Sequence, residues 1–311
     1  MYKQYLMTAL LSIGVLFTGK AQYFFHNGQN LQDNNSRGIA LGDLDGDGDL
    51  DMLLGTNGDY FLTEDTADRI VYLKNVGTRT KPEYKEESLD FLGLSDKGYR
   101  NITLSLGHLD DDGVIDMLIG KVDGQIDWYN ITKSGPSFQL SEVATNAFSI
   151  NVNEAAAPAI VDVDKDNLPD LLVGCYGGNI FYYRNTGTKS SPAMTLEKDT
   201  FGNVIANGLL LTSTPEGKDT FVYDYTGFSY PRLVDINGDG NREFISGSRD
   251  GKLKVWDQVE GNLTGTFNEV RNLYFDPLYK QCSEKDFGSR SVPAIADLNG
   301  DGKMDIIVGN R

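Results

Sequence analysis

The stretch GDLDGDGDLDMLLG spans residues 42–55 and carries aspartates at every second position, namely Asp43, Asp45, Asp47, Asp49 and Asp51. Carboxylates this close repel one another unless a cation lies among them. Aspartates at positions 1, 3, 5 and 9 of a loop, with a glycine at position 6 for the sharp turn, form the oxygen-ligand pattern of a calcium loop. The apolar run MLLG that follows predicts a buried strand. We therefore predict a Ca²⁺-binding loop that leads into an inner strand.

The same pattern returns four more times along the chain. It reads LGHLDDDGVIDMLIG from Leu106, IVDVDKDNLPDLLVG from Ile160, LVDINGDGNREFISG from Leu233 and IADLNGDGKMDIIVG from Ile295. Each copy ends in an apolar run closed by glycine, and a turn and an alternating strand such as FYYRN follow several copies. One unit is therefore strand, acidic loop, strand, hairpin, strand, turn and strand. About four short antiparallel strands in ~60 residues is the size of a propeller blade.

An EF-hand or dockerin loop uses the same early spacing and is the obvious rival interpretation. An EF-hand requires glutamate at position 12 and a helix on each side of the loop. Position 12 of the first loop is Leu54, inside the apolar strand, and the other four loops carry an apolar residue or serine there. The EF-hand interpretation is therefore rejected.

These repeats, of the form DxDGDGxxDxxxG followed by a glycine hairpin, resemble the FG-GAP/VCBS repeats that build integrin-α-type β-propellers. The resemblance covers residues 36–311. It implies an all-β fold, a propeller of four-stranded antiparallel blades, with five repeats visible in a ring of about seven or eight blades. Because Gly309 closes the fifth unit, we expect further sequence after Arg311 to complete the ring. A closed five-bladed propeller is the alternative.

The resemblance also implies about four to five bound Ca²⁺ ions. Carried over residue by residue, the implied ligands are Asp43, Asp45, Asp47, Asp49 and Asp51 in the first loop, Asp110, Asp112 and Asp116 in the second, Asp162, Asp164, Asp166 and Asp170 in the third, Asp235, Asn237, Asp239, Asn241 and Glu243 in the fourth, and Asp297, Asn299, Asp301, Lys303 and Asp305 in the fifth. Position 7 (Asp49, Asn241 or Lys303) would bind through its backbone carbonyl.

The second loop departs from the pattern because His108 stands where the first aspartate belongs. Neutral imidazole is a poor ligand for a hard cation, so we expect this site to be the weakest or empty. We expect the other loops to hold the blades together, with a regulatory calcium switch as the alternative.

The N-terminus predicts export. Residues 1–21 combine Lys3, the apolar run LMTALLSIGVLF and small residues before a cut after Ala21, which is the pattern of a signal peptide. Residues 22–311 would then be the mature propeller, secreted or at the cell surface, of bacterial origin and without a transmembrane span. The net charge of −17 disfavours nucleic acid and anionic lipid as partners. Cys175 and Cys282 either pair or are two small buried thiols.

The sequence contains no convincing catalytic constellation, and we predict no catalytic or organic-cofactor residues. The two histidines, His26 and His108, lie near the mature N-terminus and in an acidic loop, so neither suits a nucleophilic triad. Glu142, Glu154 and Glu197 lie outside the acidic loops and leave a glycosidase acid/base pair open.

Two further sets of residues are candidates for recognition. Aromatic side chains recur in one strand of the repeat, and we expect most of them to be core: Trp128, Tyr129, Tyr182, Tyr183 and Trp256. Three of them, Tyr129, Tyr182 and Trp256, could instead stack on sugars or on the next blade. The insertions at 56–69 and 185–235 do not repeat, and loops on a rigid scaffold are where recognition tends to lie.

The leading hypothesis is a non-enzymatic, exported module that binds an extracellular protein or glycan. The alternative is a polysaccharide lyase or glycoside hydrolase built on a calcium-loop propeller. A third hypothesis is a propeller segment of a larger adhesin or transport-machinery component. The oligomeric state is left open.

Overall fold

The computed structural model describes residues 35–57, 68–206, 208–213, 219–224, 227–270, 275–276, 281–282 and 290–309. The elements are almost all strands. In chain order these strands are β1 (Asn35–Gly42), β2 (Asp51–Asn57), β3 (Ile70–Asn75), β4 (Tyr84–Ser88), β5 (Thr103–Gly107), β6 (Ile115–Gly120), β7 (Ile126–Ser134), β8 (Ser137–Ala144), β9 (Ala157–Val161), β10 (Asp170–Gly174), β11 (Ile180–Asn185), β12 (Met194–Lys198), β13 (Gly208–Ser213), β14 (Asp219–Asp224), β15 (Tyr230–Val234), β16 (Glu243–Gly247), β17 (Leu253–Asp257), β18 (Asn268–Val270), β19 (Phe275–Asp276), β20 (Gln281–Cys282), β21 (Val292–Ala296) and β22 (Asp305–Gly309). Short 3₁₀ helices lie at Phe91–Lys97, Ala147–Ser149 and Phe201–Asn203.

Four sheets share one topology, in which four antiparallel strands pair in chain order. They are β1 to β4, β5 to β8, β9 to β12 and β15 to β18. The prediction of an all-β protein with four-stranded antiparallel blades is therefore confirmed for these four sheets. Three two-stranded sheets accompany them: β13 with β14, β19 with β20, and β21 with β22.

The blades stand in a ring. The first strand of each blade contacts the first strand of the next, in the order β1, β5, β9, β15. Strand β21 of the fifth, two-stranded sheet contacts both β15 and β1. The total number of blades beyond the four complete ones stays a prediction.

The glycine that closes each apolar run lies against the backbone of the following sheet. A Cβ atom on Gly120 would overlap the carbonyl oxygen of Ala156, the residue just before β9. Gly55, Gly174 and Gly247 meet equivalent oxygens in front of β5, β15 and β21. A glycine is needed here because two backbones approach too closely for any side chain.

The core fills the spaces between neighbouring blades. Tyr129 lies in the cluster between the first and second blades, and Tyr182 and Trp256 lie between the third and fourth. These three side chains are 1%, 2% and 6% exposed. The expectation that the strand aromatics are core is confirmed, and the three on the opposite phase pack on a neighbouring blade rather than face solvent.

Several predictions from the sequence fall outside this description. The signal peptide at residues 1–21 lies outside the described residues, as do 58–67 of the first insertion and parts of the second. Cys175 is a buried free thiol, and the side chain of Cys282 lies outside the described part. Within the described residues no helix has the length and apolarity that crossing a membrane requires.

Candidate metal centres

The five acidic loops occupy equivalent places in the fold. Each joins the first strand of a sheet to its second strand, as residues 43–50 do between β1 and β2. The repeat therefore sets the loops around the ring at matching positions, where each can be compared with the others residue by residue.

The first and third loops gather carboxylates most tightly. Asp43, Asp45 and Asp47 each place one carboxylate oxygen within 4.8 Å of the others, and positions 1, 3 and 5 of the third loop do the same. In each loop one of these oxygens is buried and accepts no hydrogen bond: Oδ1 of Asp45 and Oδ1 of Asp162. A buried acceptor without a donor is costly. Hard oxygen donors at this spacing fit Ca²⁺, which would satisfy the orphaned oxygen.

The aspartate at position 1 also shapes the loop. Asp43 accepts hydrogen bonds from the backbone amides of Gly46, Asp47 and Gly48 at 2.8, 3.1 and 2.9 Å. In the fourth loop Asp235 accepts the equivalent three bonds at 2.7, 3.1 and 2.8 Å. The turn needs a positive φ at position 6, which is +91° in both loops. In both loops the backbone amides of positions 4, 5 and 6 therefore point toward the carboxylate at position 1.

Asparagine at position 6 of the third loop serves as predicted. Asn167 adopts φ of +67° and donates its backbone amide to Asp162 at 2.9 Å. Asparagine tolerates this left-handed conformation better than most residues with a side chain.

The second loop lacks this arrangement. The Nδ1 atom of His108 lies 2.8 Å from the carbonyl oxygen of Val114, and the ring is exposed. The described residues therefore bring Asp110 and Asp112 together without a carboxylate at position 1. Asn130 donates its side-chain amide to Asp112 at 2.7 Å, so a neutral group satisfies this carboxylate.

The acid at position 9 points into the blade and has a structural role that the sequence did not reveal. Asp170 accepts from the backbone amides of Asn185 and Val163 at 2.7 and 2.9 Å and from the hydroxyl of Tyr182 at 3.2 Å. Asp51 likewise accepts from a backbone amide and a tyrosine hydroxyl in the third strand of its blade. The sequence feature that could have indicated this role is the Tyr or Trp that recurs at one fixed place in the third strand of the blade. This carboxylate ties the loop to the blade.

Burial of the position-9 acids changes their protonation. Removal from water raises the pKa of Asp51, Asp170 and Asp305 to about 6, and it also raises the pKa of Asp116 and Glu243. Neighbouring loop carboxylates add to the rise at each of them. A cation bound in the loop would oppose both effects.

Basic side chains from the third strand reach the two clustered loops. Lys74 forms an ion pair with Asp45 and lies 3.9 Å from Asp47. Arg184 pairs with Asp164 at 2.6 Å and with Asp166 at 3.3 Å. Sequence reasoning missed both, although each directly precedes the asparagine that ends its strand. Burial favours the neutral form of Asp45, but its interactions with Lys74, Asp47 and Lys133 together outweigh this and lower its pKa.

Other basic residues link the loops of different blades. Arg242 of the fourth loop donates to the carbonyl oxygen of Val163 in the third loop at 2.7 Å. Glu260 accepts from Arg242 at 2.7 Å and lies 3.0 Å from Lys165. These contacts hold neighbouring loops in a fixed relation.

The three glutamates outside the loops are exposed and lie on three different elements. Glu142 is exposed on β8 and pairs with Lys97 at 2.8 Å. Glu154 and Glu197 are exposed on two other elements, the connection before β9 and strand β12. A glycosidase pair needs two carboxyl groups on opposite sides of one bond.

Residues 235–308, which hold the fourth and fifth acidic loops, match the family model of the FG-GAP-like repeat. The chain is an FG-GAP repeat protein. The first three FG-GAP repeats lie outside the matched range but have the same loop position and strand order. A comparison with curated proteins returned no match.

Proposed function

We propose that this FG-GAP protein is an exported, calcium-stabilised propeller that binds an extracellular protein or glycan without chemical turnover. FG-GAP propellers are binding and adhesion-type modules, typically extracellular, which supports the general class. The clustered carboxylates of the first and third loops carry the calcium part of the proposal.

The chain's own residues define what calcium would do. In the first loop Asp43, Asp45 and Asp47 would hold the ion, while Asp51 fastens the loop to β3. A bound ion supplies the positive charge that the buried Oδ1 of Asp45 lacks. The same reasoning applies to Asp162 in the third loop. The expected result is a stiffer ring rather than a reaction.

We also infer that the ring closes through five sheets, which was the alternative to a ring of about seven or eight blades. The contact of β21 with both β15 and β1 supports this inference. Small-angle scattering of the isolated chain should then fit a closed, compact ring. A profile that requires a gap or an open arc would contradict it.

The experiment for the binding function uses the full chain on a glycan array and on a panel of extracellular proteins, each with calcium and with chelator. We expect saturable binding to one class of ligand and no release of product. A reducing-sugar assay on the same polysaccharides is the control. Depolymerisation at enzyme-like rates would overturn the proposal in favour of the lyase or hydrolase.

The variant that locates the binding surface replaces residues 58–67, between β2 and β3, with a two-residue Asp-Gly turn. The second blade has such a turn at Asp123-Gly124, so the blade itself should tolerate the exchange. We expect the variant to lose ligand binding while its melting temperature in calcium is kept. Unchanged binding would place the surface elsewhere.

A further inference from the structure

A cavity of about 270 Å³ lies where the first strands of the four complete blades converge with β21 of the β21–β22 sheet; these are the five sheets of the ring inferred above. Each first strand contributes three consecutive residues to its wall: 39–41, 104–106, 159–161, 232–234 and 294–296. Almost all of these side chains are aliphatic. The cavity therefore lies on the ring axis with a mainly aliphatic set of side chains around it, and Leu50 of the first acidic loop also reaches its wall.

Arg232 is the one charged side chain in the wall formed by the described residues. Strand register places it level with Ala40, Ser105, Ala159 and Ala294 of the other four sheets. The other four sheets thus carry a small residue at the level where the fourth blade carries the long, positively charged Arg232. The small residues leave the space that Arg232 enters.

The guanidinium of Arg232 reaches across the ring. It donates to the carbonyl oxygen of Pro231 at 2.7 Å and lies 3.4 Å from the carbonyl oxygen of Ile39 in β1. Strand β1 is not the neighbour of β15, because β21 stands between them. The head group therefore bridges its own strand, at Pro231, and β1, at Ile39.

No carboxylate balances this charge within the described part of the chain. Loss of water lowers the pKa of the half-buried Arg232 guanidinium to about 10, so the group stays charged at neutral pH. A guanidinium has five N–H donors, and two carbonyl contacts are made to it by the residues that the structure describes. A desolvated charge without a counter-charge is costly, and an anion in the cavity would offset that cost.

We propose that the axial cavity binds a small organic carboxylate, with its carboxylate group on Arg232 and an aliphatic body against the Ile, Leu and Val side chains of the wall. A guanidinium matches a carboxylate through two parallel hydrogen bonds. One cation suits a monoanion, and the aliphatic wall suits an apolar body. The volume corresponds to about nine water molecules, since each takes about 30 Å³. The proposal does not rest on calcium binding.

The test is calorimetric titration of the full chain in chloride-free buffer with acetate, butyrate, hexanoate and the uncharged hexanamide. We expect hexanoate to bind, with affinity rising about fourfold for each CH₂ group buried. Hexanamide should bind at least tenfold more weakly, because it cannot neutralise the guanidinium. Equal binding of hexanoate and hexanamide, or no binding of hexanoate, would overturn the proposal.

Inorganic phosphate and chloride separate this proposal from a simple anion site. If either binds as tightly as hexanoate, the aliphatic wall plays no part and the assignment to an organic carboxylate is wrong. We expect both to bind more weakly than butyrate.

The variant Arg232→Met keeps a long side chain and removes the charge. It should lose at least tenfold in hexanoate affinity and melt at the same or a higher temperature without ligand, because a desolvated charge is gone. Lys189→Gln removes one positive charge from an exposed turn and is the matched control, with no change expected. Retained hexanoate affinity in Arg232→Met would refute the role of Arg232. If that variant does not fold, the comparison of hexanoate with hexanamide on the unmodified chain tests whether the carboxylate is required.

Discussion

The second and third acidic loops share several hydrogen bonds but carry different charges. In both, the amide of position 5 donates to the carboxylate of position 3 at 3.2 Å. The amide of position 7 donates to the carboxylate of position 5 at 2.8 Å in the second loop and 2.9 Å in the third. Their position-9 aspartates, Asp116 and Asp170, are both fully buried. The turn therefore forms from positions 3, 5 and 9 in either loop.

The two loops diverge at position 1 and at the strand residue opposite position 9. The third loop has Asp162 and faces Arg184, whereas the second has His108 and faces Asn130. Strand register makes Arg184 and Asn130 equivalent. The full carboxylate cluster thus occurs together with a basic neighbour, and its loss occurs together with a neutral one. The shared hydrogen bonds and the full carboxylate cluster are therefore separable properties of this repeat.

Removal of calcium is expected to change the melting temperature more than any of the other changes tested below. An ion bound to the folded state at about 100 times its Kd contributes about 2.7 kcal/mol per site. Two such sites correspond to a rise of about 10 °C in the melting temperature between chelator and millimolar calcium. Differential scanning calorimetry measures this, with magnesium as the control that should act more weakly. Identical curves in calcium and chelator would contradict the metal assignment.

Protonation of the position-9 acids should partly replace the cation. The pKa of Asp51, Asp170 and Asp305 is about 6 in the fold, above the unfolded value of about 3.9. The folded state therefore binds more protons between these values, and its stability rises as the pH falls through 6. We expect metal-stripped protein to melt about 5 °C higher at pH 5 than at pH 7.

Calcium-loaded protein is the control for that pH dependence. Because the ion favours ionised carboxylates, the gain at pH 5 should shrink or reverse when calcium is present. A metal-stripped protein that is less stable at pH 5 than at pH 7 would show that these acids are not protonated in the fold.

Loss of one carboxylate should separate the two loops. Asp164→Asn is expected to remove one calcium ion from the titration stoichiometry and about 4 °C from the melting temperature in calcium. Asp110→Asn, at the same position of the second loop, is the matched control and should leave the stoichiometry unchanged. Equal effects of the two substitutions would mean that both loops bind calcium alike.

Restoring the missing aspartate should have the smallest effect. His108→Asp places a carboxylate at position 1 of a loop whose turn is already formed, so one more calcium ion should bind. Asn130 already donates to Asp112 there and would have to give way to the ion, so we expect a gain of only about 2 °C in calcium. Isothermal titration with calcium measures the added site, and an unchanged stoichiometry would show that Asn130 closes the loop to an ion.

The blade topology could be predicted because its signals are local and repeat. The acidic loop, the glycine-closed run and the alternating strand each occur several times, so a misreading in one copy is corrected by the others. The same repetition predicted Asn167 at a positive φ. The cyclic contact from β21 to β1 could not be predicted, because ring size depends on small angles between sheets that no single repeat encodes.

The parts of the site that escaped prediction lie on other strands. Tyr182 and Arg184 approach the third loop from β11, separated from it by more than ten residues of sequence. Their alternation is visible as a strand pattern, but the partner of each side chain depends on strand register. The role of Arg232 could not be predicted for a different reason. Its place in the cavity is recognisable only when the first strands of the five sheets are compared at the same register position.

The closing glycines have a consequence for how such a ring can be assembled. Gly120 meets the main chain before β9, and the amide of Ala156 donates to the carbonyl oxygen of Lys121 at 3.0 Å. The amide of Ser229 donates in the same way to Cys175 at 3.1 Å, and that of Ser291 donates to Ser248 at 3.0 Å. This part of each junction joins main chain to main chain and is indifferent to the side chains on either side. Repeats that keep the closing glycine can therefore drift in sequence at this point without losing the main-chain bonds between neighbours.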